Sequence, residues 1–520
     1  MAALVLYFAT FLALYLLTKH FLHKAQNLPP SPYPSLPIIG HLYLLKKPLY
    51  RTLSQISRRH GPILFFRFGS RPVLLISSPA LVEQCLGGQN DVAFANRPRF
   101  LMGKLLGYNF TSMAWAPYGD LWRNLRRVAS TELLSNHRLQ ALSGVRSDEV
   151  KSTIRRLAAL NGEKSGNPDP VNMRTLLFEL VLNSAMRTMA GKRYYGDESV
   201  ADLEEARRFQ GLTTEVTQVA SWTFLADFVP SLRWVDRIGK KEEKLVDFQV
   251  RRDGFMQMLI DNCRNGEGGG GGCAVMSGGK KTMVEVLLAL QEKEPEFYTD
   301  EVIKSLILVL LTGATETMTN TMEWALSLLL NHPNIMKKAQ NEIDSKVGNE
   351  RLIEESDISQ LPYLCNVIKE TLRMYPPLPV TLPHESSSEW CKVGGFNIPP
   401  RTTMLVNLWE IQNDPKVWGD PESFRPERFE GMGQAAGWKY LPFSAGRRKC
   451  PGEAMAVQMV GLAIGSLIQF FDWEKVGSGE ELVDMTEGRA ITLVKARPLE
   501  AKCRPRVNVA DKLYSSIAEL

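Results

Sequence analysis

The chain has 520 residues, of which 44% are hydrophobic and 23% charged, and its formal net charge is +6. This composition is typical of a globular protein and excludes a disordered chain or a repeat polymer. No long basic run accompanies the small positive excess, which argues against nucleic-acid binding, since such proteins concentrate cations on one face. The seven cysteines are scattered without a CxxC pair, so the sequence predicts neither a disulfide framework nor a structural zinc site.

The N-terminal segment has the composition of a membrane anchor. Residues 2–18 are apolar apart from two threonines. A helix of about 17 residues spans about 25 Å, the lower end of what a bilayer core requires. Lys19, His20, His23 and Lys24 follow this run, whereas a secretory signal carries its positive charge before the apolar run. The sequence therefore predicts a single-pass anchor with the rest of the chain in the cytosol. The alternative is an N-terminal helix buried in the core.

The remainder of the chain divides into a hinge, one large domain and a short tail. Residues 19–40 are basic and then rich in proline, which favours a stiff, extended hinge. Residues 41–508 form the predicted domain, and 509–520 form the tail. β-Branched and aromatic residues over 63–78 indicate a hairpin. Amphipathic patterns predict helices over 119–132, 171–190, 237–264 and 333–347. The sequence therefore predicts a mainly α-helical fold with small β-sheets.

One low-complexity stretch, 266–281, is rich in glycine and predicts a mobile surface loop, because glycine loses the most conformational entropy on ordering. It matches GxGxxG formally, but no predicted strand precedes it, so the context excludes a dinucleotide site. Ala274 stands where the first glycine of a phosphate-binding loop belongs. The sequence thus predicts no flavin or nicotinamide site of its own.

The longest predicted helix has a polar centre. It begins after Thr299, a suitable N-cap residue, and covers 300–331. Apolar residues flank a central segment that reads TGATETMTNT. Gly313, together with threonine hydroxyls that bond to carbonyls one turn back, predicts a local bend or an opened turn there. Glu316 and Thr317 then face a cavity. The alternative is a threonine-rich interior that satisfies its own backbone.

Residues 442–452 read PFSAGRRKCPG, with one cysteine among two glycines and three consecutive cations. A disulfide, a zinc site, a phosphate loop and a catalytic or metal-bound thiolate are the candidate uses. Cysteine spacing removes the first two, and the failed glycine patterns remove the third. Glycines allow a tight turn and close approach, and Arg448 offers a fork of donors to a carboxylate. A metal bound to Cys450 would remove the thiol proton.

These residues resemble the haem-binding signature of the cytochrome P-450 monooxygenases. The matching positions are Phe443, Gly446, Arg448, Cys450 and Gly452. The resemblance implies the cytochrome P-450 fold, with a single catalytic domain behind an N-terminal transmembrane anchor. It also implies haem b (iron protoporphyrin IX) as the cofactor. In that family the cysteine is the axial iron ligand, and the arginine binds a haem propionate.

Further motifs resemble the same family in the expected order. Trp122 and Arg126 match its WxxxR helix, whose side chains meet the propionates, and His384 stands where many relatives carry a propionate-contacting cation. The positions that match the buried ion network of the family are Glu370, Arg373 and Arg428. The haem contacts implied by the resemblance are therefore Trp122, Arg126, His384, Phe443, Arg448 and Cys450.

The polar centre of the long helix resembles the oxygen-activation segment of the family. There Glu316 would act as the acid and Thr317 as the hydroxyl that relays protons. Two positions depart from the usual pattern: Ala314 replaces a glycine, and Met318 replaces a threonine or serine. These departures bear on water access and on the width of the bend.

Several stretches, among them FANRPR and LPHESS, resemble a plant microsomal branch that oxidises isoflavonoids, lignans and sometimes terpenoids. The resemblance implies NADPH- and O₂-dependent hydroxylation or ring closure of a hydrophobic, phenylpropanoid-derived aromatic. It places the domain on the cytosolic face of the endoplasmic reticulum membrane. The implied pocket residues are Phe100, Leu105, Phe110, Thr312, Gly313, Val380, Thr381 and Leu493.

The electrons would come from a partner, an NADPH-dependent flavoprotein reductase with an acidic surface. The cations that could steer it are Arg123, Arg127, Arg447 and Lys449. Three alternatives remain at this point. One is a terpenoid hydroxylase of the same family, and another is a haem-thiolate isomerase or dehydratase that does not use O₂. The third is a haem-binding membrane protein without catalysis.

Overall fold

The computed structural model describes residues 1–162, 168–196, 203–220, 222, 224–265, 281–477 and 481–506. Most of the described chain is helical, and short strands form small sheets, as the sequence predicts. The glycine-rich stretch 266–281, apart from Lys281, and the tail 509–520 lie outside the described residues. The helices are α1 (Ala2–Ala25), α2 (Leu49–His60), α3 (Pro79–Leu86), α4 (Asn90–Ala93), α5 (Leu101–Leu105), α6 (Asp120–Val128), α7 (Asn136–Ala141), α8 (Ser143–Gly162), α9 (Met173–Ala190), α10 (Leu203–Ala220), α11 (Arg233–Ile238), α12 (Lys241–Asn265), α13 (Met283–Lys293), α14 (Asp300–Asn331), α15 (Pro333–Lys346), α16 (Pro362–Met374), α17 (Leu408–Asn413) and α18 (Glu453–Phe470).

The strands are β1 (Ile63–Phe68), β2 (Arg71–Ile76), β3 (Val171–Asn172), β4 (His384–Glu385), β5 (Cys391–Val393), β6 (Phe396–Ile398), β7 (Thr403–Val406), β8 (Phe471–Lys475) and β9 (Glu500–Pro505). β1 and β2 form the predicted hairpin, with Ile63 opposite Ile76. β7 pairs in parallel with β2, and β4 pairs antiparallel with β7, so His384 stands opposite Met404 at the sheet edge. β3, β9 and β8 form a second sheet, and β5 and β6 form a hairpin.

The central helix, α14, has the predicted bounds, and its 32 residues give a length of about 48 Å. The Thr299 side chain caps it by accepting a hydrogen bond from the Val302 N–H group. Its polar centre stays α-helical, so the opened turn expected from the sequence is not present. Threonine hydroxyls instead donate to carbonyls four residues earlier, as Thr317 does to Gly313 at 2.7 Å. The helix thus satisfies its own polar groups without a break.

The other predicted helices are present with shifted ends. The segment predicted to be one helix over 119–132 forms α6, which is followed by one π-helical turn, Ala129–Leu133. Val171–Asn172 forms β3, and α9 begins only after it. The helix predicted over 237–264 is divided, because Lys240 has a φ of 52° in the left-handed region and separates α11 from α12.

The N-terminal helix α1 has no buried residue and extends beyond residue 18 to Ala25. Its length and hydropathy make it a candidate membrane span, whereas α14 and α18 meet the same criteria but are more than half buried in the fold. The hinge that follows lies against the domain. The Phe65 N–H group donates to the Pro30 carbonyl, and the Asn397 N–H group to the Asn27 carbonyl, both at 2.9 Å. Backbone hydrogen bonds thus fasten the base of the anchor to β1 and β6.

The described cysteines lie on different helices, strands and loops of the fold. The free cysteines are Cys85, Cys365, Cys391, Cys450 and Cys503. Cys263, in the last turn of α12, is disulfide-bonded, which the scattered cysteine pattern does not predict. Within the described parts of the chain, no group of three or more histidine, cysteine, aspartate or glutamate side chains could hold a metal ion.

Candidate active site

A cavity with a volume of about 310 Å³ lies between the centre of α14 and the loop that precedes α18. Gly313 and Thr317 line it from α14, and Phe443 and Cys450 line it from the loop. Thr381 forms part of a further wall, and most other lining side chains are apolar. The fold therefore brings the polar helix centre and the cysteine loop, which are far apart in sequence, to one cavity.

Glycine determines the path of the cysteine loop. Gly446 has a φ of 68°, and a Cβ atom there would lie 2.5 Å from Asp91 Oδ1 and 2.6 Å from the Leu86 carbonyl oxygen. Any larger residue would be strained and would clash with the backbone. The Cys450 N–H group donates to the Phe443 carbonyl at 2.9 Å and closes the loop. The loop therefore presents the Cys450 side chain to the cavity, where it is exposed.

Opposing effects act on the Cys450 thiol. Desolvation by the surrounding protein raises its pKa, because burial disfavours the thiolate. A hydrogen bond from the Gly452 N–H group and the charge of Arg126 lower its pKa. α18 begins directly after Gly452, so the positive end of its dipole also favours negative charge at the sulfur. The surroundings are thus prepared for a thiolate that a coordinated metal ion would stabilise.

Three arginines line one end of the cavity. Arg448 donates to three backbone carbonyls at distances between 2.6 and 3.2 Å. Its guanidinium group lies 4.4 Å from the centre of the Trp122 ring. Arg126 donates to the Lys449 carbonyl at 2.6 Å, and Arg97 donates to three carbonyls at distances between 2.8 and 3.0 Å. We refer to Arg97, Arg126 and Arg448 as the cation cluster.

Burial makes the cation cluster electrostatically costly. Desolvation lowers the pKa of Arg97 to about 10. Desolvation, with the charges of Arg97 and Arg126, lowers the pKa of Arg448 to about 8. In the part of the chain that the structure describes, no carboxylate pairs with any of the three guanidinium groups. Buried cations require a counter-charge. The cluster therefore fits a ligand that carries carboxylates, as a porphyrin with its two propionates does.

His384 lies beside the cation cluster as a neutral group. Its Nδ1 atom is 2.9 Å from the Phe94 carbonyl oxygen, and its buried ring lines the cavity. Desolvation, reinforced by the charge of Arg97, lowers its pKa to about 3, so the imidazole is uncharged at neutral pH. Arg97, and not His384, therefore supplies the positive charge beside this part of the cavity. Sequence reasoning overlooked Arg97, although it belongs to the FANRPR stretch that resembles the plant branch.

Glu370, Arg373 and Arg428 form one buried network. Glu370 and Arg373, one turn apart on α16, share two hydrogen bonds of 2.6 and 2.9 Å, and both side chains are fully buried. Arg428 donates to the same carboxylate at 3.0 Å. Arg373 also donates to the carbonyls of Gln412 and Pro421 at 2.8 and 2.7 Å. The network thus fastens α16 to α17 and to the segment between α17 and the cysteine loop.

The two residues predicted to relay protons, Glu316 and Thr317, have different surroundings. Thr317 lines the cavity, and so do the atypical residues Ala314 and Met318. Glu316 is not among the cavity-lining residues, and its carboxylate accepts a hydrogen bond from the Thr492 hydroxyl at 2.8 Å. Helical geometry explains the difference, because neighbouring residues of a helix point about 100° apart.

The structure brings only some of the predicted pocket residues to the cavity. Gly313 and Thr381 line it. The residues that pack elsewhere are Phe100, Leu105, Phe110, Thr312, Val380 and Leu493. Leu493 is buried beside Tyr50 and Trp409 in a separate apolar cluster, against which Val380 also packs.

The other four predicted pocket residues that do not line the cavity each have different contacts. The Phe100 ring lies 5.9 Å from that of Phe228, and the Phe110 ring lies beneath Arg99 at 5.3 Å. Leu105 packs against the main core, and the Thr312 hydroxyl donates to a carbonyl of its own helix. Sequence reasoning missed the lining residues Met113, Leu310 and Leu378, whose separate segments carry no shared spacing signal.

Comparisons with known proteins identify the family of this chain. A family model described as Cytochrome P450 matches residues 29–501. The (+)-piperitol/(+)-sesamin synthase CYP81Q2 of Sesamum radiatum is 44% identical over 522 residues, which cover 100% of this chain and 99% of the relative. Isoflavone 3'-hydroxylase of Medicago truncatula is 43% identical over 490 residues, which cover 94% and 95%. A zebra fish cytochrome P450 structure with abiraterone shows the same fold, with a TM-score of 0.74 at 23% identity over 89% of this chain and 100% of that chain. The chain therefore belongs to the cytochrome P450 family of haem-dependent monooxygenases.

Proposed function

We propose that the protein oxidises a hydrophobic, phenylpropanoid-derived plant aromatic, an isoflavonoid or a lignan, by hydroxylation or ring closure, with O₂ and electrons from NADPH. The observation that carries this proposal is the shared cavity of Cys450, the cation cluster and the centre of α14. Two relatives whose names concern isoflavone hydroxylation and sesamin synthesis support the aromatic class. The apolar lining suits a ring-containing substrate.

The residues present fit haem b. The Cys450 sulfur would bind the iron. The cation cluster would bind the propionates, whose negative charges would balance its positive charges. Trp122, Phe443 and His384 line the same cavity and would contact the macrocycle. When bound, a haem with a thiolate ligand supplies O₂ activation, because the thiolate pushes electron density toward O–O cleavage.

Thr317 would position a proton source at the reacting atoms. Its hydroxyl donates to the Gly313 carbonyl, so its oxygen is free to accept a hydrogen bond from water or substrate in the cavity. Glu316, held by Thr492, would deliver protons from outside the cavity wall. Positioned proton donors contribute about 10²–10⁴ in rate.

We expect Thr317→Ala to uncouple NADPH oxidation from product formation, because the cavity loses its positioned hydroxyl. The fraction of NADPH that yields product should fall several-fold, with hydrogen peroxide released instead. Thr319→Ala is the matched control, since its buried hydroxyl donates to the Thr315 carbonyl on the same helix, away from the cavity. Equal coupling in both variants would remove Thr317 from the proton path.

We expect Arg97→Gln to weaken haem retention by about tenfold or more, because a charged hydrogen bond contributes about 1.5–3 kcal/mol. The measurement is the rate at which apomyoglobin takes haem from the purified protein. Arg99→Gln is the control, since Arg99 is exposed two residues away and lies over the Phe110 ring. Haem loss at the same rate from both variants would contradict the assignment of Arg97.

The electron donor would be a membrane-bound, NADPH-dependent flavoprotein reductase that docks near the cysteine loop. Arg123 and Arg127 on α6 and Arg447 and Lys449 in the loop are all exposed. Three of them pair with carboxylates of this chain, as Lys449 does with Glu453 at 2.5 Å. An acidic partner would exchange these exposed pairs, which are worth about 0–1 kcal/mol each, for contacts across the interface.

The membrane association would use α1 as a single-pass anchor in the endoplasmic reticulum, with the domain on its cytosolic face. The docked hinge also places apolar side chains near the base of the anchor. Ile38 is 70% exposed, and the Ile39 carbonyl accepts a hydrogen bond from the Gly69 N–H group. The β1–β2 turn also contacts the segment before α11, because the Ser70 N–H group donates to the Phe228 carbonyl. Trp234 and Ile238 are exposed on α11 itself. These side chains would enter the lipid interface.

Incubation of reductase-supplemented microsomes with separate isoflavone, lignan and terpenoid panels, read by mass spectrometry, tests this function. We expect NADPH-dependent products from the aromatic panels. Products from the terpenoid panel alone would show that the substrate is a terpenoid and not an aromatic compound. Products that form without NADPH would contradict the monooxygenase chemistry.

A further inference from the structure

Residues 486–496 form a short hairpin in the last part of the domain. Glu487 and Lys495 pair across it as an antiparallel bridge. Thr492 lies in the loop that this pair closes, next to Ile491, whose side chain is 43% exposed. The loop therefore reaches solvent at Ile491, whereas Thr492, which is only 7% exposed, faces the inside of the fold.

Contacts with α14 fasten this hairpin. The Trp324 Nε1–H group donates to the Leu493 carbonyl at 2.8 Å, and both residues are buried. The Lys495 ammonium group lies 4.8 Å from the centre of the Trp324 ring. Just beyond the hairpin, the Leu499 N–H group donates to Glu323 Oε1 at 2.8 Å. Two neighbouring residues of α14 thus hold the hairpin and the segment that follows it.

A second set of contacts fastens the same loop to the cavity wall. The Leu493 N–H group donates to the Pro377 carbonyl at 2.9 Å, and Pro377 lines the cavity. Tyr375, two residues before Pro377, stacks on Trp324 with the ring centres 3.9 Å apart. The backbone of the loop is therefore held from two sides, by α14 and by the segment that follows α16.

The fixed loop presents the Thr492 side chain to Glu316. The Thr492 hydroxyl donates to Glu316 Oε1 at 2.8 Å, and little water competes for this bond because Thr492 is buried. Threonine is β-branched, so its hydroxyl has few allowed directions, whereas a glutamate side chain has several rotatable bonds and much freedom to lose. The loop therefore favours one orientation of Glu316, beside Thr317, which lines the cavity.

We propose that Thr492 is a positioning residue for proton delivery, which holds the Glu316 carboxyl group where protons can pass to Thr317 and the cavity. This role rests on the relay in the proposed function, whereas the hydrogen bond is a property of the fold.

Monooxygenation and peroxide release each consume two electrons and two protons per O₂. If both protons reach one oxygen atom, the O–O bond breaks and water forms. If each oxygen atom receives one proton, hydrogen peroxide forms. A displaced Glu316 therefore diverts electrons from NADPH into peroxide.

A double-mutant cycle in urea unfolding tests the hydrogen bond without catalysis. The variants are Thr492→Val, Glu316→Ala and the two combined. We expect their equilibrium constants of unfolding to show a coupling of about tenfold, because a hydrogen bond to a charged group is stronger than one between neutral groups. Thr486→Val is the matched control, since Thr486 is exposed in the same hairpin, and its effect should add to that of Glu316→Ala. Additive effects for Thr492→Val as well would overturn the proposal.

The peroxide yield tests the role in proton delivery. The holoprotein and reductase turn over a panel compound that gives product, and peroxide is measured per NADPH consumed. We expect Thr492→Val to raise this fraction several-fold, Thr492→Ser to restore the wild-type fraction, and Thr492→Val to cause no further rise when combined with Glu316→Ala.

The comparison separates two kinds of failure. If Glu316→Ala raises the peroxide fraction and Thr492→Val gives the same fraction as Thr486→Val, the positioning role of Thr492 is wrong and the relay stands. A further rise in the combined variant would also overturn the positioning role, because Thr492 would then act by another route. If neither Glu316→Ala nor Thr317→Ala raises the peroxide fraction, the relay in the proposed function is wrong, and the role of Thr492 with it.

Discussion

Cys450→Ser abolishes both the thiolate-type spectrum of the reduced carbon-monoxide complex and NADPH-dependent product formation. Cys450 is the cysteine that the cavity exposes beside the cation cluster, and serine offers no thiolate to an iron ion. The sulfur also has local support for negative charge, from the Gly452 N–H group and Arg126. The measurement is a difference spectrum of the purified, dithionite-reduced protein, followed by an assay with reductase.

Cys391→Ser is the control for this substitution. Cys391 is a free, partly buried cysteine on β5, and it does not line the cavity. This variant should retain the spectrum and the activity of the wild type. A thiolate-type spectrum that survives in Cys450→Ser would show that another residue binds the iron.

Glu370→Gln should destabilise the protein by about 3–5 kcal/mol, because it leaves two buried guanidinium groups without their shared carboxylate. Arg373 is fully buried, and the Arg428 side chain is 9% exposed, so water cannot replace the lost charge. A loss of this size is a large fraction of the stability of a typical domain, about 5–15 kcal/mol. Urea unfolding followed by far-UV circular dichroism measures the change, and the yield of haem-loaded protein should fall with it.

Glu427→Gln is the matched control, because Glu427 directly precedes Arg428 but pairs with Lys338 at the surface, where both side chains are more than 40% exposed. Exposed pairs contribute about 0–1 kcal/mol, so its midpoint should change little. Equal midpoints for the two variants would show that the buried network does not hold the fold together.

Sequence reasoning identified the features that short motifs encode. The bounds of α14 follow from a capping threonine and a proline after its end, and the β1–β2 hairpin follows from local composition. The cysteine loop and the Glu370–Arg373 pair are recognisable because fixed spacing on one turn or one helix determines their geometry. Local chemistry is enough to predict each of these.

Other features depend on contacts between distant segments. Arg97 joins the site only because the FANRPR segment folds against the loop before β4, where it donates to the carbonyls of Leu382 and Pro383. Glu316 turns to Thr492, which lies 176 residues further along the chain. Leu493 and Val380 belong to a separate cluster with Trp409. No local pattern indicates which face of a helix or loop meets a cavity, so these placements require the three-dimensional structure.

The most direct test of the central claim is product formation by the purified protein with reductase, measured with and without NADPH and O₂ on the aromatic panel. We expect product to form only when NADPH, O₂ and reductase are all present, and we expect Cys450→Ser to form none. Product that forms at the same rate without O₂ would contradict it and would favour an isomerase or a dehydratase. No product from any panel, despite a thiolate-type spectrum, would favour a haem-binding protein without catalysis.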